Sequence, residues 1–273
     1  MIFCRWGDVL KILTLNTHSL HSENNLANCH ILCDLIGREL PDIVALQEVN
    51  QNISGEASVT ISGHIPVGEV LLKEGNFALC MQRILLGLKL NYQFSWLGMK
   101  KGYDRFDEGL AIFSRHPVKE AKSMLLTNTS DYNNFKKRMA LIVETDMGVF
   151  ACCHLGWEDD CEESFDRQVL RVSACQNFKK NVYLMGDFNV TPKSRGYEKI
   201  ISKGWQDTFF LAEEKEGEAT VSGKIDGWEK NSSDMRIDYI FANKKIPVKK
   251  SEVLFSGEKL PRISDHFGVM VTL

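Results

Sequence analysis

A chain of 273 residues, 44% hydrophobic and 25% charged, has the composition of a globular protein able to bury a sizeable core. Its formal net charge of −3 argues against an extended nucleic-acid-binding surface. No apolar run is long enough to span a bilayer, and the opening MIFCRWGDVL lacks the apolar core and small-residue cleavage site of a signal peptide. These features predict a cytoplasmic protein with no membrane partner. The eight cysteines contain no Cys-x-x-Cys and read as reduced thiols of a core. No linker-like stretch appears, so one domain over 1–273 is expected, with 1–8 as an N-terminal extension.

In chain order, VLKILTL (Val9–Leu15) alternates like a strand and delivers Asn16 at its end. Leu26, Cys29, Leu32, Cys33, Ile36 and Leu40 recur at helical spacing until Pro41. Asp42–Leu46 is a second strand, ending at Gln47 and Glu48. Residues 50–68 read as a loop, and Phe77–Leu88 as an amphipathic helix. Gln93–Leu97 is a strand, Gly98–Glu108 a polar segment, and GLAIFS (Gly109–Ser114) a buried strand. Ala140–Thr145 and Val149–Cys153 flank a Met-Gly turn as a hairpin whose second strand ends at His154. A helix over 162–178 leads into Val182–Pro192, and Ser194–Lys203 is helical. Residues 213–234 form a long polar loop, and IDYIF and FGVMVTL are the closing strands. Hairpins mixed with helical crossovers predict two stacked mixed sheets with helices outside.

The stretch VYLMGDFNVTP organises the rest. A buried strand stops at Gly186 and places Asp187 and Asn189 on one side, with Phe188 turned into the core. The carboxylate can take a proton or orient a water, and the carboxamide can donate to an oxyanion. Asn16, Glu48, His154, Asp238, Asp265 and His266 also fall at or near strand ends, where open α/β sheets collect ligands. Singly, each has an ordinary reading as a turn residue, surface acid or satisfied histidine. Together they make a coincidence improbable.

LTLNTH, LQEVN, EGLAIFSR, HLGW, GDFNVTP, RIDYIF and SDHFGV occur in the order found in the endonuclease/exonuclease/phosphatase superfamily, which this chain resembles from about residue 10 to its end. The resemblance implies a four-layer α/β sandwich, DNase I-like, with the site at the top of the two sheets. It implies Glu48 as principal Mg²⁺ ligand, with Mn²⁺ as the alternative ion, and Asn16 lining the metal and phosphate site. It further implies Asp187 as the residue that positions or deprotonates the attacking water, Asn189 as a donor to the phosphate and His154 as a stabiliser of phosphoryl charge. Asp265, His266 and Asp238 complete the site. Hard cations favour a few carboxylates with water and phosphate, which Glu48 and Asp265 can supply. Asp238 opposite His266 would fix its tautomer. By the same logic Glu108 is the expected partner of His154.

The motifs specify phosphoester hydrolysis rather than the ester. LTLNTHS departs from the pattern of the AP endonucleases, and GYDRFDEGLAIFSRHPV, HLGWEDD and GKIDGWEK resemble a compact bacterial branch that includes RgfB-like proteins and maltose 6′-phosphate phosphatase. The expected activity is therefore a Mg²⁺-dependent phosphatase acting on a small phosphorylated metabolite. A nuclease or phosphodiesterase is the alternative, and a silent binding protein is disfavoured because no motif residue is missing. Tyr103, Phe106, Trp157 and Trp228 are expected near the site or in its packing, with Arg105 as a candidate phosphate contact. His18, His21, His64 and His116 read as surface or turn residues, and the basic group Lys136–Arg138 as a solvated loop end. Oligomeric state is left open.

Overall fold

Both faces of the strand Lys11–Asn16 are buried, and that requirement sets the layering of the molecule. Ile12 packs towards a second sheet, whereas Leu13 and Leu15 pack under helices. Successive side chains on a strand point to opposite faces, so a run such as KILTLN suits a central strand covered on both sides. The computed structural model describes residues 9–21, 24–225, 227–228 and 230–273. The predicted extension 1–8 lies outside these.

The first sheet has eight strands. Lys11–Asn16 pairs in parallel with Ile43–Gln47 and antiparallel with Gly268–Thr272. Beyond Ile43–Gln47 come Phe106–Ser114 and its partners Gln93–Gly102 and Gln51–Asn52; beyond Gly268–Thr272 come Val248–Leu254 and Ala212–Glu216. In the six-stranded second sheet, Val182–Asp187 lies between Val149–His154, parallel, and Asp238–Ala242, antiparallel. Met139–Glu144 and Glu120–Leu125 extend it on one side.

Ile12, Ile43 and Ile112 of the first sheet meet Val143, Phe150 and Met185 of the second in the inter-sheet core. Helices Asn25–Glu39 and Phe77–Gly87 cover the first sheet through Leu32, Ile36 and Leu79. Phe165–Val172 and Arg195–Ser202 cover the second through Val169 and Ile200, with Phe188 buried beneath them as expected. The architecture is the four-layer α/β sandwich. Among the described residues, no helix is long and apolar enough to cross a membrane.

Several elements differ from expectation for identifiable reasons. Gly98–Glu108 is not a polar connection but most of a hairpin, with Lys100 opposite Glu108 in register. Its charges are absorbed by pairing rather than by water. Residues 213–234 hold an edge strand, Ala212–Glu216, whose exposed Glu213, Glu214 and Lys215 hide its identity while protecting the sheet edge. Glu120–Leu125 and Val248–Leu254 are further strands that the sequence pattern did not reveal. The helix expected over 162–178 is α-helical only over Phe165–Val172, then tightens into a 3₁₀ turn. Of the cysteines, Cys29, Cys33, Cys152, Cys153 and Cys175 are buried free thiols, but Cys161 is exposed and Cys80 half-buried.

Candidate active site

The site is a seam between the two sheets. Asn16 and Gln47 end adjacent parallel strands in register, and Glu48 follows at once with φ +50°. A left-handed conformation costs a non-glycine residue roughly 1–2 kcal/mol. Here the Glu48 carbonyl accepts from Thr17 Oγ1 at 3.0 Å and Ser19 Oγ at 2.7 Å, which holds the turn that sends its carboxylate into the seam. Across the gap, His154, Asp187 and Asp238 lie in register on three neighbouring strands of the second sheet. Gly186 permits this closeness: it has φ +135°, and a methyl group on it would sit 1.9 Å from the Cys153 carbonyl oxygen.

Asn16 ties the halves together. Its Nδ2 donates to Glu48 Oε1 at 3.0 Å and to Asp187 Oδ2 at 3.1 Å, while its Oδ1 accepts from the His18 N–H. His18 Nδ1 lies 3.3 Å from Glu48 Oε2 and 3.7 Å from Asp265 Oδ1, so these two carboxylates converge on one side of the cavity. His18 is therefore part of the site, not a surface residue. His21 stacks on it at 4.5 Å. His64 stacks on Phe94, and His116 Nε2 meets Asp42 in a turn.

His266 Nδ1 lies 3.0 Å from Asp238 Oδ2, the predicted pair, and its Nε2 is 3.7 Å from Asp187 Oδ2. Glu108 does not partner His154. It pairs with Lys100 at 3.2 Å, because the hairpin register sets these two side by side. The acids nearest His154 are Asp187 at 3.6 Å and Glu48 at 3.9 Å, and His154 Nδ1 is buried without a hydrogen-bond partner. Asn189, at φ +51°, donates from Nδ2 to the Leu155 carbonyl and accepts from Trp228 Nε1. One amide hydrogen of Asn189 remains for another acceptor.

Burial alone would raise the pKa of Glu48, but hydrogen bonds from His18 and Asn16 hold its carboxyl well below the usual range. Burial drives Asp187 up; His266 opposes it, Asp238 reinforces it, and the result is about 7. His266 is the converse: burial would lower it, but Asp238 and Asp187 raise it to about 10. Burial and the nearby Arg138 push His154 well below its ordinary value. Near neutrality the site thus holds an ionised Glu48, an imidazolium His266 and a neutral His154.

Asp187, Asp238 and His266 offer ligand atoms within 4.8 Å of one another, a possible cation cluster. The Asp238–His266 contact uses Asp238 Oδ2 and His266 Nδ1, and Asp238 Oδ1 stays buried without a hydrogen-bond partner. Glu48 and Asp265 bring two further carboxylates to this side, both near His18 Nδ1, with Asn16 hydrogen-bonded to Glu48.

Glu48, His154, Asp187, Asn189, Asp265 and His266 line a cavity of about 420 Å³ together with Tyr103, Phe135 and Trp157. The chain's motifs did not point to Lys100 or Arg138, both buried in its wall. Arg138 is only 2% exposed, which corrects the solvated reading of the basic group Lys136–Arg138. Arg105 points elsewhere: it is exposed and stacks on Phe106 at 4.5 Å.

A family model described as the endonuclease/exonuclease/phosphatase family matches residues 13–266. Among solved structures, a family protein from Leptotrichia buccalis is similar at 28% identity, covering 96% of this chain and 98% of that one with a TM-score of 0.83. A mannosyl-6-phosphatase from Bacteroides thetaiotaomicron is similar in fold at 16% identity, covering 97% and 99% with a TM-score of 0.68. A 3′–5′ exonuclease from Neisseria meningitidis is similar in fold at 16% identity, covering 96% and 98% with a TM-score of 0.64. No protein of curated function matches the chain. A family match across nearly the whole chain, on a sandwich whose two sheets bring acids and histidines to one seam, places the protein: it belongs to the endonuclease/exonuclease/phosphatase family of metal-dependent phosphoesterases.

Proposed function

We propose that this protein is a Mg²⁺-dependent phosphatase that releases inorganic phosphate from a small phosphorylated metabolite such as a sugar phosphate, in the branch of RgfB-like proteins and maltose 6′-phosphate phosphatase. The observation that carries this reading is the cavity of about 420 Å³ with the acid–histidine group in its wall. That is the size of a small-molecule site. The mannosyl-6-phosphatase among the fold relatives is compatible with it. The free thiols of the seven described cysteines suit a reducing, cytoplasmic setting.

In this reading Glu48 and Asp265 hold the cation, which when bound supplies positive charge at the phosphoryl oxygens. Asp187, with a pKa of about 7, receives the proton of the attacking water. The neutral ring of His154 and the remaining amide hydrogen of Asn189 donate to phosphoryl oxygens. His266, kept charged and oriented by Asp238, faces negative charge as it develops.

A second reading, a nuclease or phosphodiesterase, draws on Tyr103 and Phe135. They are 56% and 60% exposed at the cavity rim, where aromatic faces could stack on bases. Phosphate release with Mg²⁺ across sugar phosphates, nucleotides and phospholipid head groups, run beside plasmid nicking, separates the two. Phosphate from a sugar phosphate, lost in Asp187→Ala, supports the phosphatase. Nicking without phosphate release overturns it.

A further inference from the structure

Three cations, Lys100, Lys101 and Arg138, line the cavity, and two of them are neutralised by the protein. Lys100 Nζ pairs with Glu108 at 3.2 Å, and Lys101 Nζ pairs with Asp104 at 2.9 Å. Arg138 is the exception. Among the described residues no carboxylate forms an ion pair with it, and its side chain makes one long hydrogen bond, Nη1 to the Phe135 carbonyl at 3.4 Å. Its Nε is buried with no partner. A guanidinium carries five N–H donors, so most of this fork is unspent. Taking a charge out of water costs several kcal/mol unless something compensates.

The side chain is nevertheless held firmly. Arg138 precedes the strand Met139–Glu144, and its backbone is fixed on both sides: its N–H donates to Thr127 Oγ1 at 3.1 Å, and its carbonyl accepts from the Leu126 N–H at 2.9 Å. Its guanidinium lies 5.8 Å from the Trp157 ring centroid. Gly227 backs that indole so closely that a methyl group on it would approach the ring to 2.5 Å. The cavity wall contains Arg138 together with His154, Asp187 and Asn189. A positioned, unpaired cation therefore faces the place where the phosphoryl group must sit.

We propose that Arg138 is a specificity-determining residue that binds the terminal oxygens of a phosphomonoester dianion and selects it over a diester. The proposal rests on the phosphatase reading and deepens it. A monoester brings three terminal oxygens and close to two negative charges at neutral pH, whereas a diester brings two oxygens and one charge. A buried guanidinium with no ion-pair partner among the described residues rewards the extra charge and the extra acceptor, and its planar fork suits phosphate geometry.

The test uses the full chain in Mg²⁺, as wild type, Arg138→Met and Arg138→Lys. Steady-state kinetics on 4-nitrophenyl phosphate and bis(4-nitrophenyl) phosphate are set beside the dissociation constant of inorganic phosphate by calorimetry. In Arg138→Met, kcat/KM should fall about 100- to 1,000-fold on the monoester and less than about 10-fold on the diester, the scale of one lost charge-stabilising donor. Phosphate affinity should weaken at least about tenfold. Arg138→Lys, which keeps the charge without the fork, should fall between. If circular dichroism shows Arg138→Met unfolded, Arg138→Lys carries the comparison, with a loss of about tenfold expected on the monoester alone. Equal losses on both esters, or unchanged phosphate affinity, overturn the role of Arg138. A wild type that cleaves only the diester overturns the phosphatase reading instead. Arg138 as a phosphate site then stands if Arg138→Met loses affinity for phosphate and falls if it does not.

Discussion

Asn16 and Asp187 are 171 positions apart in the chain, and their side chains meet at 3.1 Å. The same amide nitrogen reaches Glu48 at 3.0 Å, so one small side chain fixes the spacing of two acids from different sheets. In the proposed mechanism these are the acid that holds the cation and the acid that receives a proton, so Asn16 would keep the two in a set relation. Asn16→Ala removes both bonds without adding charge. We expect kcat to fall about 100-fold with the fold retained, the scale seen when positioning around a reacting group is lost. Phosphate-release kinetics with a parallel far-UV spectrum check this, and a change under threefold would remove Asn16 from the machinery.

Chelation with EDTA should abolish activity, and Mg²⁺ should restore it. In Glu48→Gln the Mg²⁺ concentration for half-maximal rate should rise tenfold or more, because one of the two carboxylates of the proposed oxygen set is gone. Asp265→Asn should shift the same curve in the same direction. Mg²⁺ titrations superimposable on wild type in both variants would exclude these two residues as ligands.

Asp238 is buried and its Oδ2 contacts His266 Nδ1 at 3.0 Å. Asp238→Asn keeps the shape but replaces an anion with a neutral amide, so His266 loses the charge that orients and protonates it. Loss of the carboxylate behind a catalytic histidine can cost about 10⁴-fold, and we expect kcat to fall by at least about 10²-fold. Thermal melting separates this from unfolding: a folded variant with near-normal kcat would refute the pairing as functional.

Asp107 binds Lys73 Nζ at 2.7 Å, Gln51 Nε2 at 2.9 Å and Tyr132 OH at 2.5 Å. Burial opposes its ionisation, but these donors prevail and its pKa lies below the ordinary value of 3.8. A depressed carboxylate contributes stability above its unfolded pKa and loses it as pH falls through the folded one. Asp107→Asn should therefore cost about 2–4 kcal/mol at pH 7, with a smaller difference at pH 3. Urea unfolding at the two pH values measures this. An equal difference at both would show that ionisation of Asp107 is not the source.

The layers were legible because KILTLN, IVALQ and VYLMGD are short apolar-rich runs that read as strands, although only the last read as fully buried. The acids and histidines were legible because Glu48, His154 and Asp187 fall at the ends of strands and Asp238, Asp265 and His266 at or just before the starts of others. What escaped notice was hidden by charge. Lys100, Asp107 and Glu108 look like loop residues until the hairpin pairs them across strands. Arg138 sits in a basic triplet, and nothing in the triplet tells which member is buried; only Met139, opposite His154 by extension of the strand register, brings it to the seam. Glu108 was read as the partner of His154 by analogy with the Asp238–His266 pair and from its resemblance in position to an acid of DNase I, but cross-strand register gave it to Lys100. His18 looked like a turn residue and is one, yet the turn folds back on Glu48.

Because the groups on either side of the seam belong to different sheets, the gap between them is a thickness. It is gauged by the layer that separates the sheets, where Ile12 and Ile43 meet Phe150 and Met185. The girth of those side chains is thus a dimension of the catalytic machinery. A sequence could retune the reach of Asp187 towards Glu48 by trading volume there, leaving every polar residue as it is.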